Sequence, residues 1–207
     1  QGLKWLVGEN YAFMPHALKA MDWLAAGALG DLRLAEVRQT NFLTPATPYY
    51  HTDWRRQPRF VGGFVLDAGV HLAHLLRRIF GMPLELKSLQ AQFNPALPPM
   101  DTALGLLRFR SGALGTWTSC FAMSGGSPML TLRGSKADLM LHHQHVVLRS
   151  HRGGERVFKS PNIGFQGQFT HFAQAVLMGK PLVFTPREAL ADLALMQGIV
   201  QGKLLKP

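Results

Sequence analysis

Residues 102–122 read TALGLLRFR-SG-ALGTWTSCFA: two β-rich runs, 102–110 and 113–122, on either side of Ser111-Gly112. A Ser-Gly pair between two such runs marks a β-hairpin. The same texture extends in both directions. Short β-rich runs at 84–93, 129–133, 138–142, 145–150 and 155–159 alternate with turn residues. This predicts a meander-like, largely antiparallel sheet. Helical patterning lies outside that block. Pro15 opens a helix running to about Ala26, with Ala17, Leu18, Met21, Leu24 and Ala25 as its apolar stripe. A second helix runs from about Val65 to Phe80 and ends at Gly81. In 165–178, Phe165, Phe169, Phe172, Ala173 and Val176 make one apolar face. The last helix opens on Thr185-Pro186-Arg187-Glu188, a capping box with proline at the first helical position. Residues 3–7 and 32–43 read as further strands, and 44–61 as a Pro-rich aromatic loop.

Strands and helices do not alternate, and neither G-x-G-x-x-G nor G-x-x-x-x-G-K-[ST] occurs. The pattern therefore excludes a doubly wound nucleotide-binding fold. The expected class is α+β: an open, predominantly antiparallel sheet with helices packed on one face. A single domain is expected over 1–207, a length that suffices for one sizeable core.

The chain is 47% hydrophobic and 16% charged, a folded rather than a disordered composition. Its one cysteine, Cys120, leaves no internal disulfide framework and fits a reducing cytoplasm. Cys120 lies in a β run and reads as a small buried residue. No apolar run approaches the roughly 20 residues of a membrane helix, and no signal-peptide pattern opens the chain. The first residue is Gln1, so a larger parent protein is expected. The formal charge of +10 favours anionic partners such as a dinucleotide or an anionic substrate. Basic residues are scattered singly, so nucleic acid is not an expected partner.

The chemistry concentrates on the helix from Val65. Val65, Ala68, Leu72, Leu75, Leu76 and Ile79 form its buried stripe, while Asp67, His71, His74 and Arg78 line a polar one. Asp67 and His71 sit one turn apart on the same face. A histidine held by a carboxylate is a usual proton-transfer unit, and Asp67→Asn is expected to move its pH profile. The plain alternative is the wet face of an amphipathic helix. Gly62-Gly63 at the helix entry would let backbone or ligand approach closely, and Gly69 would leave one face of the helix bare. In a metal reading, Asp67, His71 and His74 offer ligands from one face, completed by His51 or by His142, His143 and His145. No cysteine supports it, and the 142–145 run reads more simply as the tip of a hairpin.

Five segments occur in a telling order: Tyr11-Ala12-Phe13-Met14-Pro15, Gly27-Ala28-Leu29-Gly30-Asp31, Trp54-Arg55-Arg56, Gly62 through His71, and Gly134-Ser135-Lys136-Ala137. Together they resemble the C-terminal domain of the glucose–fructose oxidoreductase / inositol dehydrogenase / MocA family of NAD(P)-dependent oxidoreductases. The resemblance covers nearly the whole chain. It implies a sugar, cyclitol or related polyol as substrate, and a homo-oligomer built through the sheet face. It also implies NAD or NADP, bound by an N-terminal Rossmann domain that carries a catalytic E-K-P lysine. Neither feature occurs in this sequence, so no cofactor is expected on this chain alone. The family's D-x-x-x-H pair maps to Asp67 and His71, with His71 as the acid/base and Asp67 as its orienting and relaying partner. Trp54, Arg55, His74 and Tyr11 are the expected substrate contacts, with Trp54 able to stack on a sugar face and Arg55 to bond its oxygens. Three positions depart from the family. His74 stands where Asp is usual, Ala12 replaces a basic residue, and Phe64 replaces a third glycine. A non-catalytic scaffold or dimerisation module of the same fold, and a metal-binding domain, are the competing expectations.

Overall fold

The 102–122 hairpin forms as its composition demands. Strands β3 (Thr102–Arg108) and β4 (Leu114–Cys120) pair antiparallel, and Gly112 adopts φ 87° in the turn between them. The structure, a computed structural model, describes residues 3–56, 61–125, 128–161 and 163–203. Around the hairpin lie β1 (Leu32–Thr40), β2 (Glu85–Ala91), β5 (Leu130–Gly134), β6 (Ala137–Leu141), β7 (His145–Ser150) and β8 (Glu155–Lys159). All eight join one sheet in the order β2-β3-β4-β1-β5-β6-β7-β8. Every pairing is antiparallel except β1 with β4, registered from Leu34↔Leu114 to Thr40↔Cys120. Strand β1 is thus the seam between the β2–β4 meander and the β5–β8 meander.

Side chains alternate across the sheet as a pleat requires. Val37, Ala103, Leu107, Trp117, Leu132, Leu139 and Leu148 point to one face and are buried. Helix α1 (Pro15–Ala25) covers β6–β8, α3 (Gly63–Phe80) covers β1 and β4, and α5 (Pro186–Gln201) covers β2 and β3. Among the described residues no element covers the other face: Leu34, Leu104, Leu106 and Leu114 are exposed there, beside Thr116 and Arg133. The expected α+β class is the observed one. Two short pieces complete the frame, a 3-10 turn at Asn10–Phe13 and helix α2 (Asp53–Arg56) in the Pro-rich loop. Thr185 caps α5 by accepting the Glu188 amide. Cys120 is buried and free, and the 142–145 run is the β6–β7 turn, where His142 and His145 stack at 4.1 Å. None of the described helices is long and apolar enough to cross a membrane.

Two expectations fail. Residues 3–7 form no strand, because they pair with no neighbouring strand, and Leu3 and Trp5 are exposed. The apolar face of α4 (Gly164–Met178) does not face the core: Phe165, Phe169 and Val176 point outward. That helix docks instead on the 3-10 turn, through a side containing Gly164 and Gln168.

His16 of α1 is completely buried above β7. Its Nδ1 lies 2.8 Å from Ser160 Oγ, and its Nε2 has no partner among the described residues. Burial first, then the nearby His145 and His143, lower its pKa from 6.5 to about 4. The folded state therefore prefers neutral His16. Its contribution to stability is complete above pH 6.5 and is lost as pH falls through the window from 6.5 to 4. Urea unfolding should lose about 2 kcal/mol between pH 7 and pH 5 from this group. His16→Asn, which cannot titrate, should remove that part of the slope; an unchanged slope would place its origin elsewhere.

Candidate active site

Helix α3 carries Asp67, His71 and His74, the residues singled out in the sequence, and two glycines open it. Gly62 and Gly63 adopt φ 113° and 44°, which side chains rarely tolerate. The face that Gly69 was expected to leave bare is instead packed by the core. A Cβ there would meet Met196 Cε of α5 at 2.2 Å and Trp117 Cζ2 of β4 at 3.4 Å.

His71 sits on the outer side of α3, its side chain 28% exposed. Its Nδ1 lies 2.9 and 2.8 Å from the two carboxylate oxygens of Glu9, a residue only 2% exposed. A carboxylate only accepts hydrogen bonds, so Nδ1 is the donor, and in the neutral ring the lone pair falls on Nε2. Glu9 Oε1 also accepts the Tyr11 amide at 3.0 Å. The Tyr11 ring stacks on the imidazole, with centroids 4.6 Å apart and planes 15° apart. Burial, then the charge of Glu9, push the Tyr11 hydroxyl above its ordinary pKa, so it remains a donor at neutral pH.

Asp67 does not hold His71, which corrects the expected pairing. Its Oδ2 accepts Arg55 Nε at 2.7 Å. One turn separates the two side chains on the helix, and each reaches a different neighbour. The Arg55 guanidinium in turn lies 4.3 Å from the Trp54 ring centroid and 5.0 Å from that of Tyr49, within cation–π range. Tyr49 has φ 71°, a sparsely populated conformation for a residue with a side chain. Trp54, Arg55, Tyr49 and Asp67 thus form one cluster, and His71, Tyr11 and Glu9 a second, a single helical turn away.

His74 belongs to neither cluster. It is 2% exposed and donates from Nδ1 to Asp192 Oδ2 of α5 at 3.0 Å, with Phe184 edge-on to its ring. Arg77 donates from Nε to Asp192 Oδ1 at 2.7 Å and from Nη2 to Glu188. Burial alone would weaken the Arg77 charge, but the bonds to Glu188 and Asp192 outweigh it and raise its pKa. The expectation that His74 lines the polar stripe and meets substrate is therefore corrected: it packs inside the α3–α5 interface. Asp67, His71 and His74 have three separate partners. Among the described residues no group of three His, Cys, Asp or Glu is placed to hold a metal.

Sequence reading missed Glu9 and Tyr49. Glu9 lies 62 positions from His71, so no local spacing links them. Its one signal is a lone acid between the apolar run at 3–7 and Tyr11.

Residues 17–140 match the family described as the GFO/IDH/MocA C-terminal domain. Dehydrogenase FPY6 of Fusarium mangiferae is 28% identical over 207 residues, covering 95% of this chain; the chain spans 59% of that relative's length. The crystal structure of an oxidoreductase from Thermotoga maritima superposes with a TM-score of 0.86 at 29% identity, covering 95% of this chain and 60% of that one. An oxidoreductase from Agrobacterium radiobacter, solved in complex with NAD+, L-tartaric acid and magnesium, has the same fold. Its TM-score is 0.78 at 17% identity, over 95% of this chain and 62% of that one.

Removing Asp192 leaves the His74 and Arg77 donors buried without their shared acceptor. Asp192→Ala should therefore lower the unfolding free energy by about 3–5 kcal/mol, read from urea titration. A loss below about 1 kcal/mol would mean that this network does not hold α3 to α5.

Proposed function

The chain belongs to the GFO/IDH/MocA C-terminal domain family, and on that premise we propose that it is the substrate-binding and catalytic domain of an NAD(P)-dependent oxidoreductase. The substrate is a sugar, cyclitol or related polyol, and His71 moves the proton. The observation that carries this reading is the setting of the His71 ring. Nδ1 is anchored on Glu9, the ring is stacked on Tyr11, and the side chain lies on a partly exposed helix face, where the Nε2 of a neutral ring is the one left to accept. Such a nitrogen takes a proton from a hydroxyl within hydrogen-bond reach or, once protonated, returns it to a carbonyl oxygen.

The neighbouring cluster suits the substrate class. Trp54 and Tyr49 are exposed aromatic faces for the apolar side of a sugar ring. Of the Arg55 guanidinium nitrogens only Nε is engaged by a hydrogen bond among the described residues, so the terminal nitrogens can donate to substrate oxygens. Tyr11 adds a hydroxyl beside the His71 ring.

The sequence has no glycine fingerprint. The parallel pair β1 and β4 is joined through α2, α3, β2 and β3, not by a single crossover helix. NAD(P) in this reading is held outside this chain, which acts as one domain supplying the proton-transfer half. The NAD+ in the Agrobacterium relative and the greater length of the Fusarium dehydrogenase support that division. The exposed sheet face, with Leu89, Leu104 and Leu106 open to solvent, supports a homo-oligomer assembled through it.

In the full-length enzyme, His71→Ala should lower turnover by about 10²–10⁴-fold with little change in cofactor affinity. Steady-state kinetics with a panel of sugars and polyols checks this, and wild-type turnover would sink the assignment.

A further inference from the structure

We propose that Glu9, and not Asp67, positions His71 for proton transfer, by holding the ring as its Nδ1–H tautomer with Nε2 free to accept; this rests on the reading of His71 given above.

Three contacts immobilise the Glu9 carboxylate and the ring it holds. Both oxygens face His71 Nδ1 at 2.8–2.9 Å, and Oε1 also accepts the Tyr11 amide at 3.0 Å. Tyr11 then lies flat against the imidazole and opposes rotation of the ring out of that plane. Asp67 is committed to Arg55 and is far more open to solvent, its side chain 31% exposed.

The burial of Glu9 argues in the same direction. A carboxylate withdrawn from water is costly unless it is paired and hydrogen-bonded. No Lys or Arg is paired with Glu9 among the described residues; its partners there are His71 and the Tyr11 amide. When Nε2 takes a proton, the resulting imidazolium stands directly against this carboxylate. The carboxylate side of the pair is withdrawn from water even though the imidazole reaches it, so the charged form of His71 gains its counter-ion at the moment it forms. A carboxylate on Nδ1 selects the tautomer and stabilises the imidazolium without itself taking the proton.

The tautomer gives a readout separate from activity. Full-length chain labelled with [15N]histidine is examined by long-range 1H–15N correlation NMR, with His71 assigned by comparison with His71→Asn. The wild type should show Nδ1 protonated and Nε2 bare. In Glu9→Gln the amide oxygen stays with the Tyr11 N–H. Its NH2 then faces Nδ1 and donates, which should invert the ring to the Nε2–H tautomer. Turnover should fall by about 10²–10⁴-fold, because Nε2 no longer accepts. Glu9→Asp should keep the Nδ1–H tautomer and recover much of the turnover, and Asp67→Asn should leave the tautomer unchanged.

An Nε2–H ring in the wild type overturns the proposal without any variant needing to fold. So does a tautomer indifferent to Glu9→Gln, or the same inversion in Asp67→Asn. The two readings fail separately. Inversion in Glu9→Gln together with full turnover of His71→Ala removes His71 from the chemistry but keeps Glu9 as the group that sets its tautomer. Lost turnover in His71→Ala with an unresponsive tautomer keeps the function and removes Glu9.

Discussion

Helix α3 can lie against Trp117 of β4 and Met196 of α5 because residue 69 has no side chain to keep them apart. From that contact the rest of the arrangement follows. The apolar side of α3, with Val65, Leu72, Leu75 and Leu76 fully or nearly fully buried, closes over β1 and β4. Its remaining surface is then divided between α5 on one side and the 3-10 turn and Pro-rich loop on the other. Each polar side chain of the helix meets whichever neighbour lies on its own side.

Three ion-paired groups result, and their surroundings set what each can do. His74 and Arg77 share Asp192 inside the α3–α5 interface. Buried charges of this kind specify how elements dock more than they add net stability, because desolvation offsets most of the attraction. Arg55 and Asp67 are partly wet, so their pairing contributes little to folding and leaves the guanidinium available to a ligand. Glu9 and His71 stand between these extremes: the carboxylate is buried and the imidazole reaches solvent. Only this combination offers both a fixed ring and an accessible nitrogen.

Much of the fold was legible in the chain. Seven of the eight strands lie within the β-rich block from residue 84 to 159, and the Ser111-Gly112 turn, the Thr185 cap and the α3 stripe all sit where local pattern puts them. These are short-range properties: turn chemistry, capping and the side-chain period act over a few residues. The errors have the opposite character. A strand at 3–7 needed a partner strand that tertiary packing does not bring. The phenylalanine face of α4 has helical periodicity, yet periodicity does not say which side meets the core.

The candidate site divides along the same line. The sequence by itself determined that an aspartate and two histidines share helix α3, that glycines open it, and that Trp54-Arg55 precedes it. It could not determine which of these side chains would touch. Asp67 and His71 are neighbours along the helix but not partners, because Arg55 and Glu9 arrive from separate segments and form stronger contacts than a turn-to-turn pair on an exposed face. His74 entered the core because α5 supplied Asp192, which lies 118 residues further along the chain. Spacing along a helix determines which side chains share a face. Partners are decided by which distant carboxylate or cation is buried beside each one, and only the packed structure sets that.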